Sequence, residues 1–264
     1  MPFQSIDGVR YYTFDTLQLH GVVHAIFTRI GGVSPTPWKS LNVGGTVGDA
    51  ADRVKENRLR SLQALGRDHS SVFEVWQVHS AEVVNVNHPR DINQPHLKAD
   101  ALASNRAGIT LYMRFADCVP VLLFDPIKRV IGIAHAGWQG TVKRTAAALV
   151  DRFKQDFACQ PEDILACIGP SIGPDHYEIG PDVIQQIRSA FGERSDELLS
   201  SSNGDFPGSK VKFDLWKANR MVLEQVGVRQ IEVSGICTAC HTHDWFSHRA
   251  EAGRTGRFGA LIGL

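Results

Sequence analysis

Three short apolar runs constrain this chain more than anything else in it: Phe73 to Val78, Val119 to Phe124 and Val130 to Ala134. Each reads as a buried strand. Asp125-Pro126, a turn signal, separates the second from the third. Each run is bordered by a residue capable of chemistry: His79 after the first, Cys118 before the second, His135 after the third. A residue at the end of a buried strand points to where loops meet solvent, and such positions hold chemistry on a rigid scaffold.

The rest of the pattern sets the fold class. Asp49 to Leu65 reads as a helix, with Val54, Leu62 and Leu65 on one side. Ser71 to Ala134 reads as successive strands broken by turns such as Asn87-His88-Pro89. Thr141 opens a helix whose apolar stripe is Val142, Ala146, Leu149, Val150, Phe153 and Phe157. Pro181 to Phe191 is a second, with proline in its first turn. Asp214 caps a third that runs to about Val226. Ser200 to Ser209, rich in Ser, Gly and Pro, is expected to be a mobile loop. Neither regular βαβ alternation nor an all-β pattern is present. The expectation is an α+β chain, a mixed sheet with flanking helices, forming one domain over 1–264.

Composition excludes several function classes. The 28 basic and 28 acidic side chains cancel, and no long run of Lys or Arg appears, so no nucleic-acid or anionic-membrane surface is indicated. No uncharged stretch approaches transmembrane length. Met1 to Phe14 lacks a basic segment followed by an apolar run, so it does not read as a secretory signal. An odd number of cysteines, 5, argues against a disulfide scaffold and for a reducing cytoplasm.

His79, Cys118 and His135 have three readings. Two imidazoles and a thiol can bind a catalytic zinc while leaving the fourth position open. Alternatively, Cys118 is a nucleophile with His135 or His79 as its base. The bland reading makes each a packed residue at the edge of the core. The turn after His135 offers a place for an anion: Gly137 and Gly140 free the backbone, and Thr141 begins a helix whose unpaired N–H groups attract negative charge. Arg29, beside Gly31 and Gly32, and Arg249 are further candidate anion contacts. Cys237-Thr238-Ala239-Cys240-His241-Thr242-His243 is dense in metal-type ligands. However, adjacent Cys240 and His241 rarely serve one ion and no second ligand pair follows, so a packed strand end with a polar turn is expected there.

Eight phrases in order carry a family resemblance. They are Gln77-Val78-His79, Ala99-Asp100-Ala101-Leu102, Ala116-Asp117-Cys118-Val119-Pro120, His135-Ala136-Gly137-Trp138, Ile168-Gly169-Pro170-Ser171-Ile172-Gly173, Cys237-Thr238, Phe246-Ser247-His248-Arg249 and Thr255-Gly256-Arg257. Together they resemble the YfiH or laccase-domain family, once called polyphenol oxidases and now regarded as purine nucleoside phosphorylases with adenosine deaminase activity. The resemblance runs from about Thr28 onward. It implies a mixed β-sandwich layered with helices, a CNF/YfiH-like fold of the cysteine-hydrolase type. It also implies zinc and catalysis at His79, Cys118 and His135, with phosphate and purine nucleosides as substrates. Arg29, Asn42, Gly140 and Arg249 become the expected substrate or phosphate contacts, Asn42 because Ser40-Leu41-Asn42-Val43-Gly44 matches a family phrase. Two positions depart from the pattern: His248 stands where the family usually has Tyr, and Gln139 where many members have Arg. A thiol hydrolase or amidase acting on cell-wall precursors is the alternative activity. Copper-dependent phenol oxidation is a weaker one, because a multicopper site needs many His, several of them in His-x-His pairs, and this chain has one such pair, His241 with His243.

Overall fold

The computed structural model describes residues 2–91, 93–201 and 210–264. Two six-stranded sheets face each other. The first runs Phe3–Ile6, Val9–Tyr12, Val23–Phe27, Phe258–Gly263, Thr110–Phe115 and Val72–Phe73. The second runs Gln230–Val233, Leu165–Ile168, Val119–Asp125, Val130–Ala136, Ala101–Ser104 and Val83–Asn85. Both are mixed: one outer pair of the first sheet and both outer pairs of the second are parallel. Glu178–Ile179, Val211–Phe213 and Leu199–Ser201 form a small third sheet.

Strand alternation builds the layers. In Val119–Asp125, Leu122 and Phe124 point between the sheets, where they meet Met113, Phe115, Phe258 and Ile262 of the first sheet. The intervening Val119, Val121 and Leu123 point the other way, onto Leu149, Val150 and Phe153 of the helix Thr145–Phe157 and Val222 of the helix Leu215–Gln225. Ala25, Phe27 and Leu261, on the outer face of the first sheet, pack with Leu62 of the helix Ala51–Gln63. A strand covered on both faces needs apolar residues at every position, which is why Val119 to Phe124 reads as an unbroken run.

The expected α+β architecture of sheets flanked by helices is present. Pro181–Phe191 is helical as expected, and Asp214 caps Leu215–Gln225 by accepting the Lys217 N–H at 2.9 Å. Two expectations change. Phe73 to Val78 is not one buried strand: pairing stops at Phe73, Trp76 makes a single bridge to Lys98, and the Trp76 side chain is 49 % exposed. The helix opened by Thr141 is in fact two, Trp138–Val142 and Thr145–Phe157, broken at Arg144 with φ +64°. Thr145 accounts for the break, because its hydroxyl donates to Ser80 O at 2.7 Å and to Gly140 O at 3.0 Å, tying the chain to the His79 loop. Of the expected mobile loop, Ser200 and Ser201 close the strand Leu199–Ser201, and residues 202–209 lie outside the described ones. No described helix is long and apolar enough to cross a membrane.

Candidate active site

Cys118 sits where the chain crosses between the sheets. Thr110–Phe115 belongs to the first sheet, Val119–Asp125 to the second, and Ala116-Asp117-Cys118 is the crossover. The second sheet then doubles back, so that Pro120 faces His135 and Val119 faces Ala136. This register brings His135 to the same end of the hairpin as Cys118. His79 arrives from a separate loop, with its own φ at +57°. The three donor atoms lie within 4.8 Å of one another.

Asp100 orients two of the three residues. Fully buried, it accepts the His135 Nδ1–H at 2.9 Å on Oδ1. Its Oδ2 takes Val78 N at 3.1 Å, Ser80 N at 2.6 Å and the Ser80 hydroxyl at 2.8 Å, which clasps the turn carrying His79. Burial alone would raise the Asp100 pKa, but the His135 and Ser80 hydrogen bonds outweigh it and hold the carboxyl at about 2. With Nδ1 committed to Asp100, Nε2 of His135 is the free ligand atom, the carboxylate–histidine arrangement typical of metal sites. Burial opposes ionisation of Cys118 and His135 too. Their mutual attraction prevails, lowering Cys118 to about 6 and raising His135 to about 9. Gly137 completes the floor: a Cβ there would lie 2.5 Å from Cys118 Sγ and 3.6 Å from His79 Cδ2. A thiolate, two imidazoles and a buried carboxylate behind one of them form a donor set that fits zinc with one position left open.

Above the trio opens a cleft of about 590 Å³. Arg58, Arg114, Arg257 and His96 line it together with Gln77, and Trp76 and His248 also border it. Glu74 neutralises part of the arginine charge, pairing with Arg58 at 3.2 Å and Arg114 at 3.4 Å, and also lies 3.1 Å from His96 Nε2. Arg257 is different. Its guanidinium hydrogen-bonds to the carbonyls of Gly256 at 2.8 Å and Thr255 at 3.4 Å and makes no carboxylate salt bridge among the described residues, though Cys118 and Asp117 attract its charge. Desolvation accordingly lowers its pKa.

The other expected contacts fall elsewhere. Arg29 does not reach this cleft: it borders a separate pocket of about 420 Å³. Its guanidinium donates to Lys39 O, Thr242 O and Glu251 Oε1 and stacks 4.4 Å over Phe246. Arg249 donates to Glu178 O at 2.8 Å and covers Tyr177, while its backbone N–H holds Asp117 Oδ2 at 2.6 Å. Gly140 is buried in the five-residue helix and does not line the cleft. Asn42 is fully buried, and its Oδ1 accepts the N–H of Gly44 at 2.9 Å and of Arg257 at 2.8 Å, so it positions two cleft residues from behind. Of the two departures, His248 lines the cleft and Gln139 accepts from Lys143 Nζ at 3.3 Å. Arg58, Arg114 and Glu74 carried no sequence signal. Arg257 did, as the end of Thr255-Gly256-Arg257.

A two-sheet sandwich with a His–Cys–His donor trio beneath an arginine-walled cleft is the class that fold and site define. Over residues 23–264 the chain matches, and belongs to, the family described as multi-copper polyphenol oxidoreductase laccase. It is 39 % identical over 244 residues to a purine nucleoside phosphorylase of Deinococcus radiodurans, covering 92 % of this chain and 89 % of that one. It is 35 % identical over 249 residues to the purine nucleoside phosphorylase YfiH of Escherichia coli K12, covering 94 % and 96 %. Among solved structures, YfiH of Bacillus licheniformis superposes with a TM-score of 0.89 at 33 % identity, covering 100 % of this chain and 99 % of that one.

Proposed function

We propose that the chain is a zinc-dependent purine nucleoside phosphorylase that also deaminates adenosine, a single cytoplasmic domain over 1–264. The observation that carries this reading is the placement of a three-ligand donor set on the floor of a cleft whose wall holds a half-buried arginine with no carboxylate salt bridge among the described residues. His79, Cys118 and His135 would hold zinc, which supplies Lewis acidity and brings the pKa of a water toward ~7.

Phosphorolysis joins a phosphate oxygen to the ribose anomeric carbon as the glycosidic bond breaks and the purine leaves with the bonding electrons. The protein's task is to place an anion and balance charge. Arg257 is the residue best suited to the phosphate, with Arg58 and Arg114 beside it, in place of the distant Arg29. The exposed Trp76 ring at the rim offers a flat apolar face to a purine. Metal analysis of purified protein, combined with a product screen on adenosine and inosine with and without phosphate, tests the reading. Absence of bound zinc together with no free base released in phosphate would refute it.

One observation favours a second reading. A Cys118 thiol lowered to about 6 beside His135, whose ring lies within reach of the sulfur, is the microenvironment of a thiol nucleophile. Alkylation separates the two readings: a zinc-bound thiolate is masked, whereas a free nucleophile is labelled in active protein.

A further inference from the structure

Cys237 and Cys240 form a Cys-x-x-Cys pair whose neighbouring His241 and His243 are not grouped with it in the fold. Folding supplies a third donor from the loop after the strand Leu165–Ile168. His176 Nδ1 comes to 3.4 Å from Cys240 Sγ and 3.8 Å from Cys237 Sγ, and all three donor atoms lie within 4.8 Å of one another. We propose that His176, Cys237 and Cys240 form a second zinc site, separate from the catalytic cleft, with solvent as the fourth ligand.

The distances are those an ion would set. Tetrahedral zinc at about 2.3 Å from sulfur and about 2.0 Å from nitrogen holds those two atoms about 3.5 Å apart. Both observed nitrogen–sulfur separations fall close to that value. The local backbone is arranged around the Cys237 sulfur, which accepts the Gly173 N–H at 3.2 Å. Gly173 alone permits this approach, since a Cβ there would sit 2.9 Å from the Trp216 ring and 3.0 Å from Cys237 Cβ. Two thiolates and an imidazole favour a thiophilic metal over magnesium or calcium. His176 and Cys240 are exposed, which leaves the open position to water. His241, the neighbour that made the tract look crowded, is turned away, with its Nδ1 on Cys237 O at 2.9 Å.

The site would brace the crossover that presents Cys118. Thr238, next to Cys237, donates its hydroxyl to Asp117 Oδ1 at 2.6 Å, and Ile172 N donates to Asp117 O at 3.0 Å. Asp117 is buried with φ +77° and directly precedes Cys118. An ion joining the two loops would fix both sides of that strained turn.

The test is zinc stoichiometry of the full chain, reduced and dialysed against zinc, in wild type, Cys240→Ser, His176→Ala and Cys118→Ser. Two ions per chain in wild type and one in each variant are expected. With cobalt as the probe, thiolate-to-metal charge transfer should fall in Cys240→Ser to about one third, because two of three thiolate ligands belong to this site. One ion in wild type, lost in Cys118→Ser and kept in Cys240→Ser, overturns the second site and leaves the cleft reading standing. One ion lost in Cys240→Ser and kept in Cys118→Ser supports the second site and defeats the cleft reading. A Cys237–Cys240 disulfide forming in air, with no zinc taken up here by the reduced protein, also overturns it.

Discussion

Asp100→Asn puts the substitution into a dilemma that the structure makes explicit. The carboxylate accepts four hydrogen bonds with no exposure, one from His135 on Oδ1 and three from the His79 turn on Oδ2. An amide has one acceptor and one donor end. If its oxygen faces His135, its NH₂ confronts the N–H groups of Val78 and Ser80. Each such buried donor, left unpaired, costs about 1–3 kcal/mol. If the amide flips, its NH₂ forces His135 Nδ1 to accept, so the proton moves to Nε2 and the ligand atom is lost. Either way zinc affinity should fall about 10–100-fold, equivalent to about 1.4–2.7 kcal/mol. Competition against a chromophoric chelator reads the affinity, and urea unfolding of metal-free protein reads the stability. The native carboxyl is held near 2, below its ordinary value of 3.8, so its stabilisation is present above pH 3.8 and lost as pH falls toward 2. Asp100→Asn should flatten that acid limb. Wild-type zinc affinity together with wild-type stability in Asp100→Asn would refute the claim that this carboxylate orients both ligands.

Other substitutions probe the cleft. Gly137→Ala, whose Cβ would sit 2.5 Å from Cys118 Sγ, must displace the sulfur by roughly 1 Å and should lower kcat about 100-fold with little change in melting temperature; unchanged kcat counts against Cys118 at the reacting centre. Arg257→Ala should raise the phosphate KM about 10–100-fold and leave phosphate-free deamination nearly intact; equal losses in both reactions would assign it to nucleoside binding or structure. Arg29→Ala should instead destabilise the fold by about 2–4 kcal/mol through its lost carbonyl and Glu251 contacts, with phosphate KM unmoved. In metal-free protein, alkylation of Cys118 should rise through about pH 6 and not near 9.0, the ordinary thiol value, and bound zinc should abolish it; a midpoint near 9 would remove His135 as the activating partner.

The candidate donors stood out in short phrases: Cys118 precedes and His135 ends an apolar run that does form a buried strand, whereas His79 follows a run that leaves the sheet after Phe73. The helices at Pro181 and Asp214 were legible because proline and a capping carboxylate are local signals. The arginine wall was not. Arg58 comes from a helix on the outer face, Arg114 from a strand and Arg257 from the segment leading into another strand, so only three-dimensional pairing assembles it. The same holds for His176, whose partners Cys237 and Cys240 lie across a parallel bridge between Ser171 and Cys237. Trp76 misled in the opposite direction: hydrophobicity reads as burial, yet the ring lies at a cleft rim.

The position of Phe258–Gly263 has a consequence for assembly. This strand lies between Val23–Phe27 and Thr110–Phe115 and closes the first sheet. Cys118 and His135 belong to one hairpin, a local unit that can pair as soon as it is synthesised. Arg257 immediately precedes the closing strand, so the arginine wall waits on contacts between distant parts of the chain. A growing chain thus passes through a stage in which the donor pair exists and the cleft above it does not. During that interval the edges of Val23–Phe27 and Thr110–Phe115 are open to other chains. Pairing of Phe258–Gly263 with both neighbours covers those two edges in one event.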